Sequence, residues 1–131
     1  MRILIADDHE IIRRSVIRVL RSRTDVQECA EATDGEEAVQ KALAWKPDLI
    51  LLDIRLPLLS GMEAAQQIKQ YAPDIRILFF SIHDANEILE EAKQVGDGFL
   101  LKDKIVEMLP NAIDALLRKE TFFPSTDETG P

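Results

Sequence analysis

Short apolar runs alternate with stretches of helical spacing along almost the whole chain. Arg2–Ala6, Val26–Ala32, Leu49–Leu52, Ile75–Phe80 and Gly98–Leu101 read as strands. Between them, Ile12, Ser15, Val16, Val19 and Leu20 fall on one face at 100° per residue, the spacing of an amphipathic helix. Ala38, Ala42 and Trp45 continue the pattern in a second segment, and Met62, Ala65 and Ile68 in a third. Ile88, Leu89 and Ala92 belong to a fourth, and Leu109, Ile113, Leu116 and Leu117 to a fifth. Pro110 interrupts the fifth, which is tolerable if that helix begins near Val106 or Glu107 and leaves the proline in its first turn.

Five strands alternating with five helices imply parallel strands joined by right-handed crossovers. The strands at 49–52 and 75–80 lack polar alternation, as parallel strands covered on both faces do. The expected fold is therefore α/β, a doubly wound five-stranded parallel sheet with five helices. From Phe123 the chain turns polar and rich in breakers, "FPSTDETGP". One domain is expected over 1–120, with a linker start or tail over 121–131.

With 131 residues the chain has the size of one ordinary domain. Its 46% hydrophobic and 31% charged residues are a globular balance. A formal net charge of −8 argues against a nucleic-acid-binding face on this domain, because phosphate backbones select basic surfaces. The single cysteine, Cys29, cannot form an internal disulfide and reads as a small buried apolar residue in a reduced setting. "MRILIADDHE" is too short and too soon acidic for a signal peptide, and no apolar stretch approaches a membrane span. A cytoplasmic location without membrane contact is expected.

In open parallel sheets ligands bind beyond the carboxyl ends of the strands. Those ends are polar here. Strand one runs into Asp7 and Asp8, strand three into Asp53, strand four into Ser81 and strand five into Lys102. Two carboxylates about 4 Å apart repel by roughly 4 kcal/mol at an effective dielectric of 20, so three need more than one lysine. All-oxygen carboxylate sites suit Mg²⁺ or Mn²⁺. A divalent metal, a lysine, a hydroxyl and one spare carboxylate equip a site for phosphoryl transfer to that carboxylate, with Asp53 as nucleophile.

"LIADDHEIIRRSV", "DLILLDIRLPLLSGMEAAQQIK", "LFFSIHD" and "GDGFLLKD", in that order and spacing, resemble the receiver domain of bacterial two-component response regulators over residues 2–120. The resemblance implies a flavodoxin-like strand order, 2-1-3-4-5. It implies Asp53 as phospho-acceptor, supplied by a sensor histidine kinase, and Mg²⁺ held by Asp8, Asp53 and the backbone carbonyl of Arg55, with Asp7 assisting through water. Lys102 would pair with the phosphoryl group, Ser81 would swing to hydrogen-bond it, and Phe99 would follow as an aromatic switch. Pro57 and Gly61 match the turn after the acceptor. Arg55, Ile82 and His83 occupy positions that tune dephosphorylation in this family. Lys102 is followed by Asp103 where many receivers carry proline; a cis bond there would lack proline's help and cost about 2.5–4 kcal/mol.

"ADDHEIIRRSV", "SIHD", "LLKD" and "RKETFFPS" are further similar to receivers that precede a LuxR-type helix-turn-helix. The chain is then either an excised receiver, the favoured expectation, or a natural stand-alone one; it would reach DNA only through an output domain not present in it, with a homodimer on phosphorylation as one output.

Simpler readings stand beside these. Asp7 and Asp8 suit helix capping, Phe99 suits a static core, and His9 and His83 suit surface or capping roles more than metal ligation. Arg14, Arg18 and Arg21 share a helical stripe that serves either as a solvated face or as the kinase contact this family uses. An aspartyl-phosphate phosphatase would want D-x-D on strand one, where this chain offers "DDHE". A flavin module would want a Ser/Thr/Gly-rich phosphate loop there. A phosphorylation-independent interaction module would not need Asp8, Asp53 and Lys102 together.

Overall fold

A computed structural model of the chain describes residues 1–82 and 86–124. The elements alternate as β1 (Arg2–Ala6), α1 (Glu10–Arg21), β2 (Glu28–Ala32), α2 (Gly35–Trp45), β3 (Leu49–Asp53), α3 (Gly61–Tyr71), β4 (Arg76–Ser81), α4 (Asn86–Val95) and β5 (Gly98–Leu101). A short 3₁₀ turn at Lys102–Lys104 then leads into α5 (Ile105–Leu117). All pairings are parallel and the strand order is β2-β1-β3-β4-β5, the flavodoxin-like order. Order reverses between β1 and β3, so the crevice at their carboxyl ends is the natural ligand position.

Apolar side chains fill both faces of the sheet. Val16 and Leu20 of α1 and Leu109, Ile113 and Leu116 of α5 pack on Ile3, Ile5, Leu51 and Phe80. Ala38 and Ala42 of α2, Ala65 and Ile68 of α3, and Leu89 and Ala92 of α4 pack on Leu4, Ile50, Leu52 and Phe79. Every residue of β3 is buried, which is why that strand reads as an unbroken apolar run ending in an acid. Helix starts follow local chemistry. Asp34 accepts the Glu37 amide at the start of α2, and Ser60 with Glu63 forms a reciprocal capping box at the start of α3.

At the amino ends of the strands, Asp97 replaces solvent with three donors. One carboxylate oxygen accepts the Ile77 amide at 2.8 Å and the Lys69 amine at 3.0 Å, while the other accepts from Arg76 at 3.1 Å. The carboxylate thereby ties the entry of β5 to β4 and α3.

Several expectations need correction. The second strand begins at Glu28, not Val26, because β2 is an edge strand and the Gln27 amide bonds instead to the Met1 carbonyl. Cys29 lies on that edge and is exposed, so it is not a buried packing residue. Pro110 is the sixth residue of α5, in its second turn, because the helix starts at Ile105 directly from the 3₁₀ turn. The bond between Lys102 and Asp103 is trans, like every other peptide bond in the described residues.

Candidate functional site

Residues from three strand ends converge at the carboxyl edge of the sheet. The Asp7 amide bonds to the Ala32 carbonyl at 3.0 Å, extending β1 by one residue and leaving the Asp7 side chain fully buried. Asp53 closes β3 in register with Phe80 of β4 and is 3% exposed. Lys102 follows β5 directly, buried, and its amine meets both acids: 2.7 Å from Asp7 Oδ2 and 2.9 Å from Asp53 Oδ2. The bond to Asp53 is well aligned, whereas Asp7 Oδ2 receives no aligned hydrogen bond although it is enclosed. Asp53 Oδ1 accepts the Arg55 amide at 3.1 Å, which turns the chain sharply after the strand.

The electrostatics follow from this packing. Burial is the largest influence on Asp53 and pushes its carboxyl above the usual range, against the Lys102 and Arg55 hydrogen bonds, with nearby Asp7 adding to the rise. Burial alone would lower Lys102, but Asp7 and Asp53 outweigh it and hold the amine above its ordinary value. The pocket carries more negative charge than one lysine balances.

Asp8 and His9 complete the rim. The His9 amide donates to Asp7 Oδ1 at 2.8 Å, and His9 Nδ1 lies 3.1 Å from both Asp7 Oδ1 and Asp8 Oδ1. One ligand atom from each of Asp7, Asp8, His9 and Asp53 falls within 4.8 Å of the others, close enough to surround one divalent ion. The fit is chemical as well as spatial: the clustered carboxylate oxygens outnumber the single lysine that meets them, which is what an oxygen-seeking cation completes.

The loop after β3 is held by two glycines. A Cβ on Gly61 would lie 2.0 Å from the Asp53 carbonyl oxygen, and one on Gly35 would lie 1.8 Å from the Leu59 carbonyl oxygen. Only glycine permits α3 and α2 to press against this loop. Between them, Leu59 donates to the Pro57 carbonyl at 2.7 Å around Leu58, whose φ is 69°, a tight three-residue turn in a strained region.

Asp7, Asp8, Asp53 and Lys102 therefore share one pocket. Ser81, half-buried, ends β4 in register with Leu101, the residue before Lys102, so it flanks the same edge. Phe99 is buried at 4% exposure, in register with Phe79 and packed in the α2–α4 side of the core. Arg55 is exposed beside the pocket and contributes its amide, while Ile82 is 62% exposed next to Ser81. His83 lies outside the described residues. Neither Asp7 nor Asp8 caps α1. That position belongs to His9, whose side chain turns toward the acids instead of the helix. His9 is thus exposed and stands at the cap position, as the sequence reading expects, and its ring nitrogen lies beside the acids as well. On α1, Arg14 is exposed and pairs with Glu31, as Arg13 does at 2.8 Å, while Arg18 and Arg21 are exposed.

Comparison with known proteins agrees with this geometry. The family model described as response regulator receiver domain matches residues 3–114. The uncharacterized transcriptional regulatory protein YxjL of Bacillus subtilis is 36% identical over 124 residues, covering 94% of this chain and 57% of that protein. The oxygen regulatory protein NreC of Staphylococcus epidermidis is also 36% identical over 124 residues, covering 93% and 57%. The chain thus spans less than three-fifths of the length of these relatives. Among solved structures, a LuxR-family two-component response regulator from Aurantimonas sp. SI85-9A1 superposes with a TM-score of 0.87 at 31% identity, covering 96% of this chain and 90% of that one. A five-stranded 2-1-3-4-5 sheet, a lysine bridging two buried acids, and a family match across most of the length make this chain a member of the response regulator receiver domain family.

Proposed function

We propose that this chain is a phosphoryl-accepting switch in which Asp53 takes a phosphoryl group from the phosphohistidine of a sensor histidine kinase. The observation that carries this reading is the Lys102 amine shared between buried Asp7 and Asp53. A buried acid held above its usual range gains little from its present environment, and its acyl phosphate can take over the same amine. In the transfer, an Asp53 carboxylate oxygen attacks phosphorus in line as the P–N bond breaks. The electron pair returns to the leaving imidazole, which takes up a proton. Lys102 neutralises the phosphoryl oxygens throughout.

Asp8, Asp53 and the Arg55 carbonyl would hold Mg²⁺ or Mn²⁺, with Asp7 assisting. A bound ion of this kind supplies positive charge against the phosphoryl oxygens. Ser81 then hydrogen-bonds the phosphoryl group, and Phe99 adjusts in the space beside it. Arg55, Ile82 and His83 set how readily water reaches the acyl phosphate, because Arg55 lies beside the pocket and Ile82 and His83 follow Ser81 in the chain. The protein catalyses its own phosphorylation and dephosphorylation and turns over no separate substrate. The exposed arginine stripe of α1, which begins beside the pocket, is the kinase contact in this reading. The face built from α4, β5 and α5 changes partner preference, with homodimerisation as one result. The relatives named as transcriptional regulators are longer than this chain, and a DNA-binding output domain in the full-length protein is the natural effector. Action in the cytoplasm belongs to this reading; among the described residues no helix is long and apolar enough to cross a membrane.

The test is incubation with Mg²⁺ and acetyl phosphate, followed by intact mass. One phosphoryl group should be gained, Asp53→Ala should gain none, and EDTA should suppress the reaction. Failure of the parent to gain mass, with no response to beryllofluoride, would leave a phosphorylation-independent interaction module instead.

A further inference from the structure

Beyond α5 the chain does not leave the domain at once. Lys119 adopts φ 63°, its amide bonds to the Leu116 carbonyl, and the Glu120 amide reaches back to Ala115. This paired closure reverses the chain and aims it at the open edge of β5. There Phe122 spends both of its backbone groups on the residues flanking Gly98. Its amide donates to the Asp97 carbonyl at 2.9 Å, and its carbonyl accepts the Phe99 amide at 2.8 Å, the pattern of a parallel strand pair. Gly98 makes room: a Cβ there would stand 3.1 Å from the Phe122 oxygen and 2.7 Å from a Leu78 methyl group. Phe122 packs against the α1–α5 side of the core and Phe123 against the α2–α4 side, alternating as strand residues do.

The strand that carries this segment also carries the pocket lysine. β5 has four residues, so Gly98 and Lys102 are about 13 Å apart along an extended chain. One edge of β5 is fixed by β4, and Phe122 bridges the other. Lys102 follows the carboxyl end of this short strand, and Phe122 bridges its amino end. The two hydrogen bonds, of 2.8 and 2.9 Å, weaken steeply once they lose alignment.

We propose that the segment around Phe122 is a releasable clasp on the β5 edge, which opens when Lys102 exchanges Asp53 for a phosphoryl group and so frees the chain that exits the domain. The inference rests on phosphoryl acceptance at Asp53 and names the element that carries its message outward. The clasp is closed with the Lys102–Asp53 pair intact. Because coupling is reciprocal, loading the pocket loosens the clasp, and breaking the clasp strengthens loading by the same factor.

Amide hydrogen exchange on the full chain, with and without Mg²⁺ and beryllofluoride, reads the first half. The Phe99 and Phe122 amides should exchange at least about fivefold faster in the loaded protein. Phe122→Pro, which removes one clasp donor, and Phe122→Ala, which trims its packing, read the second half. At least one of them should bind beryllofluoride about fivefold more tightly than the parent. Saturable loading of Asp53 with unchanged protection at both amides overturns the clasp and leaves phosphoryl acceptance standing. Absence of any loading in the parent overturns both.

Discussion

Replacing Lys102 with methionine keeps an unbranched side chain, one heavy atom shorter, and removes the charge between two buried acids. The amine lies 2.7 Å from Asp7 and 2.9 Å from Asp53, so the two bridged oxygens are no more than about 5.6 Å apart, the sum of those distances. At an effective dielectric of 20 their repulsion is about 3 kcal/mol once the lysine is gone. Removing one partner of a buried pair generally costs roughly 3–5 kcal/mol, so Lys102→Met should lose about 3 kcal/mol near pH 7 without divalent ions. That is a large share of the 5–15 kcal/mol typical of a domain.

The pH dependence has a definite sign. In the parent the amine is held above its ordinary value, so its contribution is complete below about pH 10.5 and is lost only as pH rises through the higher folded value. In the variant Asp53, already raised by burial and by nearby Asp7, is pushed up further because the lowering influence of Lys102 is gone. The folded state then binds more protons than the unfolded one, and stability rises as pH falls from 7 toward 5. Urea denaturation at both pH values, with EDTA or with millimolar Mg²⁺, measures this. Acid and Mg²⁺ should each restore part of the loss, and Mg²⁺ should stabilise the variant more than the parent. A variant as stable as the parent at neutral pH in EDTA, or a loss independent of pH and Mg²⁺, would refute a shared charged pocket.

Asp97→Ala leaves the Ile77 amide, Lys69 and Arg76 without their common acceptor and should lower stability by about 2–4 kcal/mol in urea titration, while phosphorylation of the folded fraction persists. Gly61→Ala forces the Asp53 backbone to move, since the new methyl would meet its carbonyl at 2.0 Å; acetyl phosphate labelling should fall at least about tenfold, by analogy with misplacement of a reacting group, even where the fold survives. Leu58→Gly relieves the φ of 69° in the loop after the acceptor and should raise stability by roughly 1 kcal/mol, read as a higher urea midpoint. An unchanged or lower midpoint would show that the turn is not strained.

The alternating plan was legible because β3 and β4 are covered on both faces and write that burial as unbroken apolar runs. The pocket acids were legible for the same reason: polar residues at core strand ends stand out. What escaped notice depended on partners distant in sequence. Asp97 carries no local signal of its role, since nothing near it in sequence discloses that Lys69 and Arg76 converge on it. Cys29 read as core from its small apolar side chain, although the expected order 2-1-3-4-5 already places its strand at the sheet edge. Phe122 sits at the head of a breaker-rich tail, and its role requires a glycine 24 residues earlier to leave space for it. The helix around Pro110 starts earlier than the proline suggested because a 3₁₀ turn delivers the chain already coiled.

The exposed thiol at Cys29 has a practical use. It is the sole cysteine of the chain and lies on the β2 margin, four strand spacings, or about 19 Å, across the sheet from β5. A maleimide dye would attach there without any engineered site. Paired with a second fluorophore placed after Phe123, it would turn the width of the sheet into a ruler for watching the far margin open in real time.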